Sequence, residues 1–137
     1  MAPKAKPGSD EPGRLLLVFG LLVGVCANLP VLVGPHLGVA HKVEIADHLI
    51  PGVVVLAVSV TGLVVSRSGQ PSGVVVFAAG LVITLAGLWM VLTHLPLVAQ
   101  ATRHDAPWGA TLYHTTSAVL VFAFGLAWTK TSWARVE

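Results

Sequence analysis

Residues 73–98 read GVVVFAAGLVITLAGLWMVLTHLPLV, and this stretch decides the fold. It contains no Asp, Glu, Lys or Arg. A helix that crosses a bilayer needs about 20 consecutive apolar residues, and this run exceeds that. Outward from it the same pattern recurs. No charged residue occurs from 15 to 41, from 48 to 66, from 68 to 102 or from 106 to 129. Four spans are predicted, at 15–35, 47–66, 73–98 and 107–129. Runs such as Val53-Val54-Val55 favour strands in water. In hydrocarbon every backbone polar group must be bonded within its own segment, so the runs read as helices. The expected fold is all-α: a polytopic membrane protein with a four-helix, up-and-down transmembrane bundle.

Composition supports the same class. The chain has 137 residues, 55% hydrophobic and 10% charged, with a mean hydropathy of +0.83. A soluble domain carries about 25% charged residues. Too little polar surface remains here to face water, which excludes a soluble enzyme, a disordered chain and a secreted disulfide scaffold. The net charge of +2 does not imply nucleic acid, because Lys and Arg lie scattered at the ends of the apolar runs. The single cysteine, Cys26, lies inside a span and reads as helix packing.

The N-terminal residues Lys4, Lys6 and Arg14 precede an apolar run too long for a signal peptide. The expectation is a disordered cytoplasmic tail at 1–13, a transmembrane domain at 14–130 and a cytoplasmic tail at 131–137. Loop charge sets the orientation. Lys4, Lys6, Arg14, Arg67, Lys130 and Arg135 fall on one side, Lys42 and Arg103 on the other. Both termini are therefore expected in the cytoplasm of a cell that carries the chain in its plasma membrane. Trp108 and Tyr113 fit an outer aromatic belt, Trp128 and Trp133 an inner one.

An internal duplication is visible. A shift of 58 residues lays Val18, Phe19, Val33, His36 and Leu37 on Val76, Phe77, Val91, His94 and Leu95, and His48 leads its span as His114 does. The bundle then consists of two pseudo-repeated helix hairpins, a parallel repeat about an axis along the membrane normal.

All six histidines (His36, His41, His48, His94, His104 and His114) fall in the predicted outer half. Helical spacing puts three of them on stripes of small residues that face neighbouring helices. The stripes are His48, Gly52, Val55, Ser59 and Gly62; Gly80, Thr84, Gly87, Val91 and His94; and His114, Ala118, Val121 and Gly125. The first span adds Gly20, Gly24 and Asn28. Ionisable side chains within spans are expensive and usually turn toward the bundle interior. Facing histidines in a four-helix bundle hold haem iron axially or ligate a metal ion. No C-x-x-C-H occurs, so haem would be non-covalent haem b. The candidate cofactor-binding residues are His48, His94 and His114, and a divalent metal ion would draw on His36 as well. Thr115, Thr116 and Ser117 are candidates for hydrogen bonds behind the ligands. The bland alternative is a set of interfacial or interhelical polar residues. His36, His41 and His104 taken singly read as solvated loop residues. Asp47-His48 resembles a helix N-cap with its first turn, and Asn28 reads as interhelical glue.

The stretch Gly87-Leu88-Trp89-Met90-Val91-Leu92-Thr93-His94-Leu95-Pro96-Leu97, followed by a loop and a new span, resembles the small bacterial membrane proteins with SPW repeats. Asp47-His48-Leu49-Ile50-Pro51-Gly52-Val53 is similar to the start of that family's second helix. Thr93-His94-Leu95 stands near the place of the Ser-Pro-Trp triplet. The resemblance implies a duplicated four-helix membrane domain without a defined activity.

Two functions follow from the residues. One is a small membrane protein whose outer histidines hold haem b or a metal ion, with electron exchange with quinone if haem is bound. The other is an accessory or scaffold subunit of a larger membrane complex or homo-oligomer. A transporter ranks third, since no span carries an interior carboxylate. Chemistry on soluble substrates ranks last, since no nucleophile–base pair or phosphate loop appears.

Overall fold

The computed structural model describes residues 11–33, 41–68 and 73–133. They form helix α1 (Glu11–Val33), a short α2 (His41–Glu44), a π turn (Ile45–Leu49), α3 (Ile50–Ser68), α4 (Gly73–Thr102) and α5 (Trp108–Trp133). Among the described residues there are no strands. Four helical stretches are long and apolar enough to cross a membrane: Gly13–Val33, Ile45–Val65, Gly73–Thr102 and Trp108–Trp133. The 30 residues of α4 rise about 45 Å, more than the hydrocarbon thickness of about 30 Å.

Small residues set the pairing. Leu17 packs against Gly62, Gly20 against Ser59, Gly24 against Leu56 and Asn28 against Gly52, so α1 and α3 run antiparallel. Gly80 meets Trp128 and Thr129, Gly87 meets Val121 and Phe122, and Gly125 meets Thr84, so α4 and α5 are antiparallel too. These glycines let two backbones approach more closely than any side chain would allow. The two hairpins meet through α1 on α5 and α3 on α4. The Thr84 and Thr129 hydroxyls, 3.1 Å apart, add a polar contact to the α4–α5 seam. The stripes expected to face inward are the buried ones. His48 in the π turn and Gly52, Val55 and Ser59 on α3 are buried, as are His114, Ala118, Val121 and Gly125 on α5. The apolar core joins Val55, Ile83, Met90, Ala118 and Val121, midway along the helices.

Several expectations change. Asp47 is no N-cap, because the chain is already helical from His41, and Asp47 and His48 lie inside the π turn. The nearby Pro51 has no N–H to offer the carbonyl four residues back, and such a gap in the hydrogen-bond ladder favours a wider turn. The Ile50 N–H instead reaches the carbonyl of Ile45. α1 begins at Glu11, within the stretch expected as a tail, and α4 continues past 98 to Thr102. Trp128 is 2% exposed and does not sit in a surface belt. Its Nε1–H donates to the Val76 carbonyl at 2.9 Å, inside the α4–α5 seam. Trp108, Tyr113 and Trp133 are exposed, as a belt requires. Asn28 donates to Gly24 of its own helix at 2.7 Å, so its hydrogen bond does not cross helices. Cys26 is exposed, lining a groove between α1 and α5 rather than packing inside.

α4 ends in a defined stop. The Asp105 N–H bonds the Gln100 carbonyl at 2.9 Å and the His104 N–H bonds that of Ala101 at 3.1 Å. His104 has φ 65°, in the left-handed position where such caps normally use glycine. The tight turn returns the chain into α5 beside α4, which sets the register of the residues above the core.

Candidate metal centre

Three buried histidines converge at the end of the helices where α4 turns into α5. His48 comes from the π turn, His94 from α4 and His114 from α5. His94 lies about 12 Å from the end of α4 and His114 about 9 Å from the start of α5, by helical rise. The antiparallel register that sets Gly87 against Val121 puts these two at one level.

The rings face each other through nitrogen. His48 Nε2 lies 2.9 Å from His94 Nε2 and 3.2 Å from His114 Nδ1. One ligand atom from each of the three falls within 4.8 Å of the others. The His48 and His94 ring centroids are 4.6 Å apart at an interplanar angle of 75°, so the rings meet edge to face rather than stacked.

The far sides of the rings decide what the near sides offer. His94 Nδ1 lies 2.6 Å from the Met90 carbonyl, which can only accept, so Nδ1 carries the hydrogen and donates it. His94 Nε2 then presents a lone pair. The His48 ring has the Ala27 carbonyl as a backbone partner. Since Nε2 faces the other rings, Nδ1 is the nitrogen left for Ala27, with Ser117 Oγ 3.5 Å from it. With its hydrogen on Nδ1, the neutral His48 ring presents an Nε2 lone pair as well; with its hydrogen on Nε2, it donates to His94 Nε2. In the first tautomer two lone pairs stand 2.9 Å apart and repel unless a cation sits with them. Metal-bound histidines show this pattern, each donating its other ring N–H to a carbonyl or carboxylate.

The spacing suits an ion. With bonds of about 2.05 Å and a tetrahedral angle, ligand nitrogens stand about 3.3 Å apart. The distances of 2.9 and 3.2 Å are a few tenths of an ångström from that value, and all three nitrogens lie within 4.8 Å of one another. The cluster borders a cavity of about 190 Å³, with Glu44, Asp47, Thr93 and Gln100 also in its wall.

The structure thus brings together His48, His94 and His114. His36, the fourth candidate ligand, lies outside the described residues. His104 is exposed in the α4–α5 turn and is not part of the cluster. Ser117 reaches the site, whereas Thr115 and Thr116 bond back to Thr111 and Leu112 of their own helix, at 2.8 and 2.6 Å. Sequence reasoning missed Thr93 and the two carbonyls. Thr93 had a signal in its place beside His94; the carbonyls of Met90 and Ala27 had none, because every residue carries one.

No family model, curated protein or solved structure matches the chain. The likeness to SPW-repeat proteins stays at the level of short motifs.

Proposed function

We propose that this is a small plasma-membrane protein that holds one transition-metal ion on His48, His94 and His114. The four apolar helices cross the bilayer as an up-and-down bundle with both termini in the cytoplasm, as the distribution of Lys and Arg supports. The histidine cluster then lies near the extracytoplasmic surface. One observation carries the reading: three imidazole nitrogens from three separate segments point at one another, while the outer nitrogen of His94 is held by the Met90 carbonyl. A merely structural histidine satisfies both its nitrogens with fixed partners. Among the described residues, the inner nitrogens of His48 and His94 face each other and a third imidazole.

The geometry favours an ion over haem b. Axial ligation puts the macrocycle between two imidazoles, and nitrogens 2.9 Å apart leave no gap for one. Nitrogen donors suit zinc, copper, nickel and cobalt. The three side chains leave a fourth position for water or a further ligand. Quinone chemistry would then require a redox-active ion in that place. The lipid bilayer is the partner the exposed apolar faces support.

The test is direct. The protein, purified in detergent from cells supplied with zinc, copper, nickel and a haem precursor, should carry about one metal ion per chain by elemental analysis and no Soret band. Metal at background level from such cells would overturn the reading.

A further inference from the structure

The three imidazoles stand between two different environments. Toward the middle of the bundle, Met90 lies one helical turn from His94 and Ala118 one turn from His114, both in the apolar core with Val55 and Val121. Val55, Met90 and Val121 are all 0% exposed, so packed side chains fill that direction. Toward the α4–α5 turn lies the cavity of about 190 Å³, and all three rings border it. Leu97 and Gln100, three and six residues beyond His94, continue its wall away from the core.

Structural zinc sites are closed by four protein ligands, whereas sites that do chemistry keep three and leave the fourth position to water or substrate. Among the described residues, the ligand group is His48, His94 and His114 alone; Asp47 lines the cavity but does not belong to it. Four-coordinate geometry sends the fourth bond away from the three ligands. Toward the core that bond would run into packed apolar side chains. Toward the cavity it runs into open space.

We infer that the centre is an open one: its fourth position faces the cavity and takes an exchangeable small Lewis base, water at rest and a nitrogen or oxygen donor of ring size or less in its place. The size limit follows from the volume. A cavity of about 150 Å³ admits a single six-membered ring, and this one is larger. The inference rests on the metal-centre reading. It adds that the ion is presented to small molecules arriving from the α4–α5 turn side, rather than sealed in the bundle as a brace. The exchange trades one lone pair for another: water leaves as the donor arrives, and no electron or proton is transferred.

The experiment uses the full chain in detergent, loaded with cobalt(II) and titrated with imidazole as the exogenous base. The parent chain, Leu97→Trp, Gln100→Trp and His94→Ala are compared. The parent should take up cobalt, and its absorption bands should shift with imidazole along a one-site saturation curve. His94→Ala should lose the cobalt and with it the response. Leu97→Trp and Gln100→Trp put bulk into the cavity without touching a ligand. Each should load cobalt with the affinity and starting bands of the parent, which shows that the three imidazoles are in place. Leu97→Trp should then bind imidazole at least about 10-fold more weakly, the effect of overfilling the space it needs. Gln100→Trp, farther from the rings, should weaken it less. Cobalt bands that do not move with imidazole in the parent would overturn the open position while leaving the metal centre standing. Bands that vanish, with cobalt released, would overturn it as well. A parent-like imidazole response in both cobalt-loaded variants would overturn the route through the cavity. No cobalt uptake by the parent chain would remove the centre itself, and the open position with it.

Discussion

His94 Nε2 stands 2.9 Å from His48 Nε2, although 46 residues separate them in the chain. One ring is oriented by the Met90 carbonyl a helical turn away, the other by a π turn and by α1. The contact joins the two antiparallel hairpins across the α3–α4 face. The geometry of the histidine cluster is thus a consequence of how the hairpins dock, and variants can separate docking from the proposed metal binding.

Replacing His94 or His48 by Ala should reduce metal affinity by more than the about 10–100-fold expected for groups behind the ligands. The helices should stay folded, since each substitution removes a buried polar ring rather than apolar core. Cobalt titration followed by its absorption bands reads the loss. Unchanged bands in either variant would remove that residue from the ligand set.

Acidification should empty the site. Protons and metal ions compete for the same imidazole lone pairs, so loading releases protons and affinity rises with pH. Apparent cobalt affinity should fall on acidification, over the range where the imidazoles take up protons. A flat profile over that range would point to ligands other than imidazole.

Gly87→Ala should destabilise the α4–α5 pair by about 1–3 kcal/mol, the usual result of forcing atoms into a packed seam. The added Cβ would meet the backbones of Phe122 and Val121, the latter at 2.8 Å, and backbone cannot swing aside. Unfolding in a denaturing detergent titration measures the effect. Parent-like stability would mean that the two helices stand farther apart at Gly87 than the contact with Phe122 and Val121 requires.

Pro51→Ala should weaken metal binding without touching a ligand. It restores an N–H that can bond the Asp47 carbonyl, which favours an ordinary α turn over the π turn at Ile45–Leu49. His48 would then rotate away from His94. Helix content by circular dichroism should hold or rise while cobalt affinity falls. Intact affinity would show that the π turn does not depend on this proline.

His104→Gly should leave metal binding unchanged and stabilise the fold by about 1 kcal/mol, because His104 occupies a left-handed backbone conformation that glycine adopts freely. Thermal unfolding monitored beside a cobalt titration checks both halves. Weaker cobalt binding would place His104 near the ion after all.

Much of this molecule was legible as text. The four charge-free runs specified four helices, because length and apolarity leave hydrocarbon-compatible backbone no other regular form. The small-residue stripes specified which face of each helix turns inward, and they named His48, His94 and His114 together. That much depends only on a helix's own repeat, a local property. Local rules failed where a partner helix intervened. Trp128 has the composition of a surface belt residue, yet it found the Val76 carbonyl in the seam. Asp47 looks like a cap, yet Pro51 and the packing on α1 and α4 place it in a π turn. Which nitrogen of each imidazole faces the others, and that Glu44 and Asp47 share their cavity, came only from the docking of the hairpins. Those facts depend on contacts between residues far apart in the chain, and no periodicity along a single helix carries them.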